Sequence, residues 1–169
     1  AACLLAQKVL LEKAQFPRPH VGESLIPYFW QFCDATGVSQ KIEQENFVRK
    51  SGGIVIWQYK ARKIDFSQFG FKKPELHVER DIFDTSLLNH ANKQNAQVFE
   101  NISVQKIHFK NQQANIVYTI KDTHEKNHIE AKYVIDCSGQ NALTATQYGF
   151  REFDKEFRFV ALWSYYQGG

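Results

Sequence analysis

Two carboxylates in this sequence end apolar runs. Glu12 closes Lys8-Val9-Leu10-Leu11, which reads as a buried parallel strand, and Asp136 closes Tyr133-Val134-Ile135 ahead of the small residues Cys137-Ser138-Gly139. A carboxylate offers only acceptors. At the C-terminal end of a strand in an α/β sheet it can take hydrogen bonds from the ribose hydroxyls of a dinucleotide. The plainer readings are a strand that surfaces in a charge at Glu12 and an ordinary strand-to-helix turn at Asp136. In Arg18-Pro19-His20-Val21-Gly22-Glu23-Ser24, Gly22 allows close approach of backbone to a ligand. Free amides at the start of a following helix would suit an anion or an electron-rich ring. Arg18 and Glu23 are placed to pair or to contact a ligand there, and a rigid surface loop is the alternative. Lys50 precedes Gly52-Gly53 and an apolar run. A lysine in apolar surroundings can act as donor, acid or nucleophile, against the commoner solvated lysine. Arg80 follows a strand-like stretch and precedes a helix, so it can reach a phosphate or ring oxygen bidentately, or pair with Glu79 or Asp81.

Other chemistries find little support. No Cys/His set is expected to hold a metal, and the Gly-x-Ser-x-Gly elbow of serine hydrolases is absent. Cys3, Cys33 and Cys137 are an odd set without Cys-x-x-Cys spacing, which argues against a disulfide scaffold. Reduced thiols in a cytoplasmic protein are the expectation. The 21 Lys+Arg against 18 Asp+Glu leave a net charge of +3, and scattered basic residues make no nucleic-acid footprint. No apolar run reaches the roughly 18 residues of a membrane span. Aromatic residues make up 14% of the chain, enough for a large packed interior or for gripping a flat ring.

These residues need elements to position them. Residues 1–7 read as helix and run into the Lys8 strand with no connection, which predicts missing residues between Gln7 and Lys8. Leu25, Phe29, Phe32 and Cys33 predict a helix over 25–36, capped by Ser24 and ended by Gly37, with a second short helix over 38–46. A strand is expected at 54–57, an irregular polar stretch at 60–74 and a strand at 76–80. A helix follows over 81–94, capped by Asp81, with Ile82, Phe83, Leu87, Leu88 and Ala91 on its apolar face. Strands at 98–99, 102–109, 114–120 and 128–134 make an antiparallel meander over about 98–134, and a last strand is expected over 157–166. The 169 residues lack Met and begin Ala1-Ala2-Cys3, so an incomplete fragment of a larger protein is expected.

Six segments stand in a telling order: Leu10-Leu11-Glu12-Lys13, Phe16-Pro17-Arg18, His20-Val21-Gly22-Glu23-Ser24, Lys50-Ser51-Gly52-Gly53, Glu79-Arg80 with Phe83-Asp84, and Asp136-Cys137-Ser138-Gly139. Together with Val160 to Tyr166 they resemble the N-terminal portion of the flavin-dependent halogenases, a tryptophan halogenase-like branch of the FAD-dependent monooxygenase superfamily. The resemblance implies an α/β protein, a Rossmann-like FAD-binding core with an inserted antiparallel β-meander. Residues 1–169 would be part of one FAD-binding domain, with the substrate domain outside the chain. It implies that Glu12 binds the adenosine ribose with Lys13 beside it, and that Arg18 joins the cofactor site. His20, Gly22, Glu23 and Ser24 would line the flavin ring. Arg80 would meet the ribityl or phosphate part, and Asp136, Ser138 and Gly139 would close around the FAD. Lys50 would be catalytic, holding or carrying the hypohalous acid made from halide, oxygen and reduced flavin, as a proton-donating ammonium or as an amine that forms a chloramine. A small aromatic substrate, chloride or bromide, and a separate flavin reductase are the implied partners. FAD-dependent hydroxylases and geranylgeranyl-reductase-like enzymes share the resemblance. The family's Gly-x-Gly-x-x-Gly loop, later Gly-Asp motif and Gly-Trp-x-Trp-x-Ile-Pro segment are absent from these residues. That leaves a non-catalytic flavoprotein-like module as a further alternative.

Overall fold

A computed structural model describes residues 8–157 and 159–164. The chain enters as strand β1 (Lys8–Leu11) and reaches β2 (Ser24–Leu25) through the proline-rich loop. Helices α1 (Phe29–Thr36) and α2 (Ser39–Gln44) follow, then β3 (Val48–Lys50), β4 (Gly52–Trp57) and β5 (Lys60–Asp65). A 3-10 turn over Phe66–Phe69 leads to β6 (Glu75–His77), helix α3 (Arg80–Lys93) and β7 (Ala96–Phe99). The remainder is β8 (Ile102–Lys110), β9 (Gln113–Ile120), β10 (Lys126–Ala131), a 3-10 turn over Gly139–Asn141 and helix α4 (Leu143–Gln147).

The described residues divide into two compact units. One runs to Val104 and includes Thr119–Lys126; the other holds Gln105–Tyr118 and the residues from Asn127 onward. In the first unit β1 pairs in parallel with β7, Lys8 opposite Ala96 and Leu11 opposite Phe99. A parallel pair needs a long crossover. Here the crossover contains the three-stranded sheet β2-β6-β3, the antiparallel hairpin β4-β5, and α3, which turns into β7 at Asn95 (φ +61°). Its core gathers Trp30, Cys33, Val38, Ile42, Phe47, Leu76, Val78 and Phe83, all buried. The Phe83 ring meets Phe29 and Phe47 edge-on, each at 6.2 Å between centroids. Trp30 satisfies its indole by donating to the Pro74 carbonyl at 2.8 Å, as a buried N–H must.

Strands β8, β9 and β10 form a sheet in the order β10-β9-β8. Asn111 and Gln112, both at positive φ, make the two-residue turn between β8 and β9, a link short enough only for antiparallel neighbours. In the second unit Ile107, Ala114 and Ile116 are buried. Gln147 at the end of α4 exchanges hydrogen bonds with the Ile107 backbone, at 2.9 and 2.6 Å, and the Tyr148 hydroxyl donates to the same carbonyl.

Several expectations are corrected. The helix expected from Leu25 begins at Phe29, because Pro27 disfavours helical backbone at Ile26, and Ser24-Leu25 instead joins β6 as a strand. Ser24 therefore caps nothing, whereas Gly37 ends α1 in the left-handed region as expected (φ +76°). The stretch 60–74 is not irregular: its first six residues are β5. The helix of 81–94 starts at Arg80 with Glu79 at its N-cap, and the Asp81 side chain accepts from the Ile82 amide. Val98-Phe99 belongs to the parallel pair with β1 rather than to the antiparallel strands, which run over Ile102–Ala131. The core strand expected to enter Asp136 does not form, since residues 133–136 pair with no strand among the described residues, and none forms over the described residues 157 and 159–164. The expected helix at 1–7, the join to Lys8 and the residues 165–166 lie outside the described residues.

Candidate functional site

The sheet β2-β6-β3 assembles the most concentrated chemistry. Lys50 on β3 stands opposite Glu75 on β6, and Ser24 on β2 stands opposite His77, two residues along β6. Side chains alternate faces along a strand, so this register puts Ser24, Lys50, Glu75 and His77 on one face. The Lys50 Nζ lies 2.5 Å from Glu75 Oε1 and also donates to Ser24 Oγ, whose hydroxyl donates to Glu75 Oε1 at 2.7 Å. Lys50 is thus a half-buried, paired lysine and not a solvated one. Glu75 is buried at 6% exposure. Burial pushes its carboxyl up, but the hydrogen bonds from Lys50 and Ser24 outweigh that and hold it below its ordinary value. Sequence reasoning does not single out Glu75; the only signal is an acidic residue abutting the buried Leu76 and Val78.

The loop before β2 is held by α3. Gly22 sits at φ +102°, and a Cβ built there would come within 3.1 Å of Arg80 Nη1. Arg80 Nη1 donates to the carbonyls of Val21 (3.0 Å) and Gly22 (3.1 Å), while Nε and Nη2 grip Asp84 bidentately at 2.9 and 3.0 Å. Arg80 therefore pairs with Asp84, not Glu79 or Asp81. Arg18 also reaches Asp84, at 3.8 Å, and stacks over Phe16. Glu23 lies 3.7 Å from His77. His20 Nδ1 lies 2.7 Å from the Val21 carbonyl.

Glu12 follows β1 directly. Its amide donates to Phe99 O, its carbonyl accepts from Ile102, and Oε1 accepts from the Ala14 amide at 2.8 Å. Oε2 keeps its acceptor capacity among the described residues, at the C-terminal end of a parallel strand. Lys13 next to it is exposed, and its carbonyl accepts from Lys121 Nζ at 3.4 Å. An acceptor left at the end of a parallel strand is what a ribose hydroxyl requires. The residues present fit FAD.

In the second unit Asp136 accepts from the amides of Ser138 (2.9 Å) and Thr144 (2.7 Å), and Ser138 Oγ accepts from Leu143 N (2.8 Å). The Ser138 hydroxyl and these amides hold Asp136 well below the usual carboxylate range, against a smaller opposing push from burial. Gly139 is left-handed at φ +60° and opens the 3-10 turn. His124-Glu125-Lys126-Asn127-His128 has the His-Glu-x-x-His spacing that binds zinc on a helix. Here it is a turn, with His124 at φ +56°, entering β10. No metal-holding group occurs among the described residues.

A family model described as FAD binding domain matches residues 29–163. The chain belongs to the FAD-binding domain family. Its relatives there include the tryptophan 2-halogenase of Chondromyces crocatus, 35% identical over 99% of this chain and 33% of that protein. The flavin-dependent halogenase armH2 of Armillaria mellea is 33% identical over 94% of this chain and 32% of its own length. Among solved structures, the myxobacterial chondrochloren halogenase CndH superposes with a TM-score of 0.75 at 25% identity, over 83% of this chain and 33% of that one. The chain spans about a third of the curated relatives it matches. FAD is the cofactor of this domain, and the flavin-dependent halogenase resemblance read from the motifs is borne out. Among the described residues, no helix is long and apolar enough to cross a membrane.

Proposed function

We propose that the protein containing this domain is an FAD-dependent halogenase acting on a small aromatic substrate, with chloride or bromide as co-substrate and reduced flavin delivered by a separate reductase. The observation that carries this reading is Lys50. The residue that the resemblance marks as catalytic is held by an ion pair to a buried carboxylate, in a chain whose curated relatives are halogenases. FAD, when bound, supplies the oxidising chemistry with oxygen. The chain's own residues bind and orient. Glu12 offers Oε2 to the ribose hydroxyls, and the backbone at Val21-Gly22, fixed by Arg80, forms the surface on which a ring can rest. Lys13, Arg18, His20, Glu23 and Ser24 flank that surface, while Asp136, Ser138 and Gly139 form the second cofactor segment. Lys50 presents an ammonium to the oxygen of hypohalous acid, polarising the oxygen–halogen bond so that the halogen passes to the aromatic carbon, which loses its proton, while the oxygen leaves as water. The odd number and wide spacing of the cysteines favour a reducing, cytoplasmic setting.

The test is Lys50→Ala in the full protein with FAD, a reductase, oxygen and halide. Halogenated product should fall at least about 100-fold while the flavin absorbance of the purified protein is unchanged. Full product formation by this variant removes the halogenase reading, and oxygenated product that forms without halide identifies a hydroxylase instead.

A further inference from the structure

Glu75 and Ser86 are the buried polar residues among those described, and Glu75 alone of them is charged. Neither the resemblance nor the relatives' names give it a role. Its position follows from the sheet. β6 is the central strand of β2-β6-β3, so a side chain on it meets neighbours from both sides. Lys50 comes from β3 directly opposite, and Ser24 comes from β2 at the diagonal position on the same face. One carboxylate oxygen, Oε1, takes both Lys50 Nζ and Ser24 Oγ.

We propose that Glu75 is a positioning residue for Lys50: together with Ser24 it fixes the ammonium so that a single N–H is left to meet the oxidant. An ammonium has three donors and no acceptor. Glu75 and Ser24 take two, and among the described residues nothing takes the third. Two anchors on a tetrahedral nitrogen fix the direction of what remains, which is the preorganisation that donor catalysis requires. Ser24 adds a second link. It lies two residues beyond Gly22, so the clamp ties the lysine to the loop whose carbonyls Arg80 holds.

This inference rests on Lys50 being the catalytic lysine, and its test separates the two. Glu75→Gln is made in the full protein, and two quantities are read. The first needs no turnover: the rate at which acetic anhydride acetylates Lys50 in the native protein, followed by peptide mass spectrometry. The second is kcat for product formation with FAD bound. Glu75→Gln should raise Lys50 acetylation severalfold and lower kcat at least about tenfold, with wild-type flavin absorbance. Glu75→Asp, which keeps the charge at a longer reach, should restore part of kcat. Unchanged acetylation overturns the clamp. Faster acetylation with wild-type kcat, while Lys50→Ala is inactive, overturns the positioning role alone. Full activity of Lys50→Ala overturns the catalytic lysine, and acetylation still reports whether Glu75 holds it. If Glu75→Gln loses its native near-ultraviolet circular dichroism, Ser24→Ala takes its place: faster acetylation with lower kcat supports the clamp, and unchanged acetylation overturns it.

Discussion

Asp136 shows how a single carboxylate can brace a turn. Its two oxygens take the amides of Ser138 and Thr144, so its charge satisfies donors on both sides of the 3-10 turn at Gly139–Asn141. The folded pKa lies below that of the unfolded chain, near 3.9 for a free Asp. With the folded value depressed, the stabilisation is complete above the unfolded pKa and is lost as pH falls through the folded one. Asp136→Asn should therefore lower the urea midpoint at pH 7, and the gap to wild type should close as pH drops below about 4. Parallel midpoint curves down to pH 2 would refute the assignment. Other residue roles are legible in the sequence to different depths. Gly22 is readable because only glycine carries φ +102° there without pushing into Arg80. Lys50 is readable by its neighbours in the motif. Glu75 is not, because a carboxylate beside a strand reads as solvent-facing until the register reveals its cation.

Helix α3 does two jobs in its first turns. Arg80 and Asp84, one turn apart, hold the Val21-Gly22 loop, and Phe83 beside them packs into the core at 7% exposure. Phe83→Ala removes a ring packed edge-on against Phe29 and Phe47. It should cost about 3–5 kcal/mol, measured by urea unfolding, and should loosen the loop through α3. A cost under about 1 kcal/mol would mean that the three rings do not anchor the helix. The helical part of this arrangement is largely visible from apolar spacing, and the misses have physical causes. Pro27 delays α1 and releases Ser24-Leu25 into the sheet. The β4-β5 hairpin is hidden because Gln58 and Tyr59 turn it at φ +49° and +62°, where the usual signal is Asn-Gly. The run Tyr133-Val134-Ile135 looks buried by composition, yet Tyr133 is 88% exposed and no strand among those described pairs with it. An apolar run specifies a strand only when a neighbour supplies the ladder.

At the scale of the whole chain, motif order is the most legible feature, because widely spaced segments in a fixed order carry the resemblance that the FAD-binding family match bears out. What order does not reveal is which parts open together, and two cysteines offer a measure of that. Cys33 is 4% exposed in the core cluster with Trp30, Ile42 and Phe83, whereas Cys137 is exposed. Burial, helped by the neighbouring Asp34 charge and only partly opposed by Lys73, pushes the Cys33 thiol up to about 11. The thiolate is the nucleophile, so at pH 8 Cys33 is both shielded and almost wholly protonated. Iodoacetamide should modify Cys137 in the native protein and spare Cys33, which should react only when the core opens. Adding Phe83→Ala should speed Cys33 alkylation in proportion to the lost stability, about tenfold for each 1.4 kcal/mol, while leaving Cys137 unchanged. Peptide mass spectrometry after timed quenching reads both rates. Equal labelling of Cys33 and Cys137 in the native protein would mean that the cluster around Phe83 is not the cooperative core of its unit.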